Sequence, residues 1–212
     1  LWRTAIQKVS LIVVPVAMFF IVSAEEFVQL AFTGDYIRAV SIFRIYSLIT
    51  MARVASFGAV IVAAGQPKLV FRAAIVTLLS NLLLSIPALY WFGFDGPALG
   101  TAAAFIPMAA IYCYYIGRSL GVPMSRTFPV VDWLKVVAVA TLAASPAIAL
   151  KTTVVLHPFI ALFVYALTLL ILYIFLARVT NLMKAEDLDF AVRWVQLDFF
   201  RRRSRPSSTE SK

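Results

Sequence analysis

An all-α, polytopic membrane helical bundle of six transmembrane helices is what this chain of 212 residues predicts. The composition is 62% apolar and 14% charged, with a mean hydropathy of +0.92. Soluble domains run at roughly 45–50% apolar and about 25% charged, so this chain has too little polar surface to coat a water-facing globule. Runs free of Asp, Glu, Lys and Arg cover 9–24, 54–67, 73–94, 96–117, 136–150 and 152–177. They are continuous, whereas membrane barrel strands are about ten residues long with alternating polarity.

A hydrocarbon core about 30 Å thick takes roughly 20 helical residues, so extending each run to its flanking turns gives spans at 9–31, 40–64, 70–92, 97–117, 130–150 and 155–177. The first follows a basic and polar lead-in from Arg3 to Lys8 and stops at Thr33-Gly34-Asp35. Gly65-Gln66-Pro67-Lys68 closes the second, Gly93-Phe94-Asp95-Gly96-Pro97 the third and Gly121-Val122-Pro123 the fourth. Because these connections are short, consecutive helices are expected to be antiparallel neighbours. Pro15, Pro87, Pro107 and Pro146 each interrupt an apolar run; proline removes one backbone bond and bends a helix. Residues 1–177 thus make a six-helix transmembrane domain and 178–212 a charged tail. In the tail Leu188, Ala191, Val192, Val195 and Phe199 recur at helical spacing before Arg201, Arg202, Arg203 and Arg205. Such a segment either lies on an anionic membrane surface or stays solvated. As the chain opens at Leu1 rather than Met, it reads as a piece of a longer polypeptide.

The net charge of +9 is topological. Of the 19 Lys and Arg, Arg3, Lys8, Lys68, Arg72, Arg118, Arg126, Lys135, Arg178 and the tail cations fall on one side, Arg38 and Lys151 on the other, and Arg44 and Arg53 within a span. By the positive-inside rule the crowded side is cytoplasmic, with both ends of the chain on it. The same sorting leaves no basic patch to read as a nucleic-acid surface. The single Cys113 and single His157 exclude a disulfide, a zinc cluster and the ordinary catalytic triads. No metal, cofactor or enzyme activity is expected. Glu25 and Glu26 are about 100° apart on a helix and do not flank one bond as paired catalytic carboxylates must.

Ionisable residues within a span cost several kcal/mol if they face lipid, so each asks for a partner or a function. Arg44 lies ten residues after Gly34, and Glu25 and Glu26 nine and eight before it. At about 1.5 Å per residue all three share a depth, which predicts an ion pair across the first hairpin, with a substrate role for Arg44 as the other reading. Arg53 is nine residues beyond Arg44, on the opposite face of an ideal helix, with no acid at its depth. Either it snorkels to the inner interface, or it faces a wet cavity where its planar donors suit phosphate or carboxylate. Thr77, Asn81 and Ser85 repeat every four residues on the third span, as helix-to-helix bonds or as the lining of a hydrated path.

Four segments together carry a resemblance: LWRTAIQKVSLIVVP, AEEFVQLAFTGDYIRAVSIFRIYSL, AAGQPK and GFDGPALGTAAA. In order and spacing they look like the carboxy-terminal half of bacterial polysaccharide flippases, which export O-antigen and exopolysaccharide units within the multidrug/oligosaccharidyl-lipid/polysaccharide superfamily. The matching positions are Phe32, Gly34, Tyr36, Ala39, Phe43 and Arg44; Ala64, Gly65, Gln66 and Lys68; and Gly93, Gly96, Pro97, Ala98, Gly100 and Thr101. The resemblance covers about residues 1–177. It implies a two-lobed carrier of twelve to fourteen helices, of which these are the last six, the amino-terminal half being a missing partner. It further implies a bacterial inner-membrane location and undecaprenyl-pyrophosphate-linked glycan as cargo beside membrane lipid, for which Arg53, Arg44 and Asn81, polar residues within the spans, are the substrate-binding candidates. The alternatives are a drug/cation antiporter of the same superfamily and a structural membrane subunit.

Overall fold

The computed structural model describes residues 2–32, 36–55, 57–123, 127–154 and 156–182, and among them the regular structure is helical with no strand. The helices are α1 (Trp2–Val22), α2 (Ala24–Ala31), α3 (Ala39–Ala52), α4 (Phe57–Ala63), α5 (Pro67–Phe92), α6 (Gly96–Leu120), α7 (Val130–Thr153) and α8 (Pro158–Val179). Pro67, Pro97 and Pro158 open α5, α6 and α8, where the missing N–H has no intrahelical acceptor to lose. The amphipathic pattern expected at 188–199 lies outside the described residues.

Among the described residues five helical stretches are long and apolar enough to cross a membrane: Trp2–Val22, Ala39–Ala63, Pro67–Ser119, Val130–Thr153 and Pro158–Val179. The third is two helices, α5 and α6, joined by a 3-10 turn at Gly93–Asp95. Their register is antiparallel. A Cβ on Gly96 would fall 2.3 Å from the Ala88 carbonyl oxygen and one on Gly100 2.5 Å from Ser85 Cα, and Asn81 donates to Thr101 at 3.1 Å. Six passes result, with large apolar side chains turned outward: Leu78 is 69% and Leu83 70% exposed. By length and composition the chain is a multi-pass helical membrane protein.

The expected spans meet the structure with three corrections. The span at 9–31 starts earlier, at Trp2, and is divided into α1 and α2 at Ser23. The span at 40–64 is α3 and α4, with residues 53–55 non-helical between them. Adjacency also differs: α7 packs on α1 and α8 and not closely on α6, the helix before it. Ala140, Ala143, Ala144 and Ala147 make that contact possible, because all are fully buried and let the backbones approach.

None of the four prolines breaks its helix. Pro15 cannot donate to the Leu11 carbonyl, four residues back, and the buried Tyr173 hydroxyl of α8 donates to that oxygen instead, at 3.0 Å. Pro146 likewise frees the Leu142 carbonyl, and Ser145 Oγ donates to it at 2.7 Å. The breaks fall at Ser23 and at Arg53.

Candidate functional site

Polar groups collect at two places. The first is the Ser23 kink, whose residue has φ −94° and ψ 14° and whose Oγ donates to the Phe19 carbonyl at 2.7 Å. Arg44, from α3, reaches across: its Nη2 is 3.0 Å from Glu25 Oε1 and its Nε 3.3 Å from the Ile21 carbonyl. Lys151, in the last turn of α7, completes the set. Its Nζ lies 3.0 Å from Glu25 Oε2, 3.1 Å from Glu26 Oε2 and 3.2 Å from the Val22 carbonyl. Each cation thus holds a carbonyl beside the kink and a carboxylate of the following turn. Two acids and two bases leave the cluster neutral, with no free acid for an incoming cation.

Glu25, Glu26 and Arg44 are therefore brought to one level, with Glu25 shared between Arg44 and Lys151 and Glu26 held by Lys151. On sequence Lys151 stands only as a cation on the sparsely charged side. Its signal was there, since it ends a span at the depth where two acids faced a single arginine.

The second place is the break between α3 and α4. Arg53 caps α3 at φ −84° and ψ 25°, and its side chain is exposed. The helix end is held by α7, where Trp133 Nε1 donates to the Met51 carbonyl at 3.1 Å, filling an acceptor that the end of α3 leaves open. Arg53 Cζ stands 5.9 Å from the centre of the Phe105 ring of α6. The two lie beside a cavity of about 260 Å³ that Phe57, Gly58, Met108 and Tyr112 also line. Among the described residues no carboxylate pairs with Arg53.

Ser41 Oγ donates to Asp95 Oδ1 at 2.6 Å and sets the starts of α3 and α6 level. Arg53 is then about 18 Å and Phe105 about 15 Å along their helices from that level, at 1.5 Å per residue. Arg53 was expected on a continuous helix, on the face opposite Arg44; it stands instead where the helix ends.

Asn81 is occupied by packing. It donates to Thr101 and accepts from Ser85 Oγ at 3.2 Å, while Thr77 Oγ1 bonds its own helix at the Ala73 carbonyl. The structure does not bring Asn81 together with Arg53 or Arg44. Among the described residues no group of three His, Cys, Asp or Glu is placed to hold a metal.

No family model, no curated protein and no solved structure matches the chain.

Proposed function

We propose that this chain is the carboxy-terminal six-helix part of a bacterial polysaccharide flippase, and that it helps carry lipid-linked oligosaccharide units across the inner membrane without covalent chemistry. One observation carries the reading: Arg53, a cation within an apolar span that pairs with no carboxylate among the described residues, is exposed at a helix break beside an aromatic-lined cavity. A membrane-embedded charge is expensive and marks a substrate path when its partner is not protein. A guanidinium offers forked donors to a pyrophosphate and stays charged at every physiological pH. Phe105 and Tyr112 supply faces on which a polyprenol or sugar ring can rest. The neutral Glu25, Glu26, Arg44 and Lys151 cluster speaks against the drug/cation antiporter, which needs an acid free to bind its cargo.

In this reading the cargo is an undecaprenyl-pyrophosphate-linked glycan, the amino-terminal lobe of the same polypeptide closes the other side of the path, and both ends of the chain are cytoplasmic. The experiment is glycan export in cells that depend on the full-length polypeptide. Arg53→Lys keeps charge without the fork and should export partially, and Arg53→Ala and Arg53→Glu should fail at normal membrane levels. Equal export by wild type and Arg53→Ala at matched protein level would reject the headgroup role.

A further inference from the structure

α8 ends in a chain reversal beside a gap in the bundle. Asn181 is left-handed at φ 53°, its N–H donates to the Arg178 carbonyl at 3.1 Å, and the Leu182 N–H donates to the Ala177 carbonyl at 3.0 Å. This paired closure turns a chain back at a helix end, and Leu182 packs on the main core. Asn181 and Leu182 line an open cleft of about 920 Å³ whose walls run from Thr4 to Leu11 of α1 and from Asp132 to Val139 of α7. Each wall is about two helical turns, or about 11 Å. Two turns of a further helix, about 10 Å across, occupy about 850 Å³, so the cleft has room for them. Its floor is apolar, with Leu11, Val136 and Val139 buried. At its mouth Asp132 accepts from Gln7, and Arg3 and Lys135, both exposed, each stand 3.9 Å from that acid.

The sequence beyond Leu182 carries a matching pattern. On a helix Val192, Val195 and Phe199 fall within about 40° of Leu188, and Asp187 and Asp189 stand about 100° to either side of it. Helices that lie on anionic membranes carry Lys and Arg on the polar face, and acids at the edges of the apolar stripe are repelled there. Edge acids suit a groove whose two walls each present a cation. We infer that the cleft receives this chain's own tail, with Leu188, Val192 and Val195 over Leu11 and Val139, and Asp187 and Asp189 beside Arg3 and Lys135. The inference rests on neither Arg53 nor the cargo.

Disulfide formation in the whole chain, with Cys113→Ala and in neutral detergent, tests it, because the bond needs Cα atoms within about 7 Å. Ala138→Cys, in the cleft, should bond to the faster of Val192→Cys and Val195→Cys at least tenfold faster than to Ser208→Cys. Asp187→Asn with Asp189→Asn should slow that bond at least threefold. Glu186→Gln with Glu210→Gln removes the same charge from the tail away from the stripe's edges and should leave the rate unchanged. In phosphatidylglycerol vesicles the bond should persist. Equal rates at the stripe and at Ser208 would describe a solvated tail, loss of the bond in vesicles a tail on the membrane surface, and equal slowing by the two acid pairs a general charge effect. Each of these would overturn the assignment.

Discussion

Lys151 and Glu26, 125 residues apart, meet at 3.1 Å and tie the carboxy-terminal end of α7 to the kink after α1. Their side chains are 21% and 13% exposed, so the pair is mostly removed from solvent. Lys151→Ala strands a carboxylate there and should destabilise by roughly 1–3 kcal/mol, below the 3–5 typical of a fully buried pair. Thermal unfolding in detergent should show the loss, and Lys151→Met with Glu26→Leu should regain much of it. Unchanged melting in Lys151→Ala would mean that the pair is solvated and contributes little.

Arg44 and Glu25 should matter less. At 39% and 41% exposure their pair is screened, and a double-mutant cycle should give about 1 kcal/mol or less. A coupling larger than that of Lys151 with Glu26 would reverse the ranking drawn from burial.

Tyr173→Phe removes only the hydroxyl that serves the Leu11 carbonyl above Pro15. A buried acceptor left unpaired costs about 1–3 kcal/mol, so Tyr173→Phe should melt earlier. The same substitution combined with Pro15→Ala, which restores the helical donor, should cost much less. Equal losses with and without Pro15 would break the link between the two.

The α5–α6 hairpin depends on two glycines. Because a Cβ at Gly100 would fall 2.5 Å from Ser85 Cα, Gly100→Ala must push the helices apart and should cost about 1–3 kcal/mol. Gly65 has open space around it but a φ of +74°, so Gly65→Asn should be tolerated where Gly65→Val is not. Yields of folded protein by size-exclusion chromatography separate these cases.

Much of this was legible in the chain itself. The apolar runs and their Gly/Pro punctuation located all six passes, and counts of nine and ten residues from Gly34 put Glu25 and Arg44 near one depth. Helix breaks were not legible, because hydropathy is blind to them: prolines mark where a donor is missing, and whether the helix survives depends on a hydroxyl such as Tyr173, 162 residues away. The partners of Lys151 and the choice between the two readings of Asn81 were not legible for the same reason. Periodicity gives a residue's face and depth, but which helix packs against that face is a tertiary fact, and α7 chose α1 over α6.

Orientation is checked by labelling single cysteines in a Cys113→Ala background. An impermeant maleimide added outside intact cells should reach His157→Cys and not Lys68→Cys, both exposed at the amino-terminal ends of α8 and α5, which start on opposite sides of the membrane in this topology. The reverse pattern would invert the topology.

The central claim is movement of a pyrophosphate-linked glycan past Arg53, and the most direct measurement reconstitutes the full-length polypeptide in vesicles with a labelled polyprenyl-pyrophosphate glycan in the inner leaflet. Appearance of the glycan outside is followed with an impermeant lectin. The account predicts transfer well above protein-free vesicles, reduced at least tenfold by Arg53→Ala and only partly by Arg53→Lys. Transfer by wild type no faster than in protein-free vesicles would contradict it.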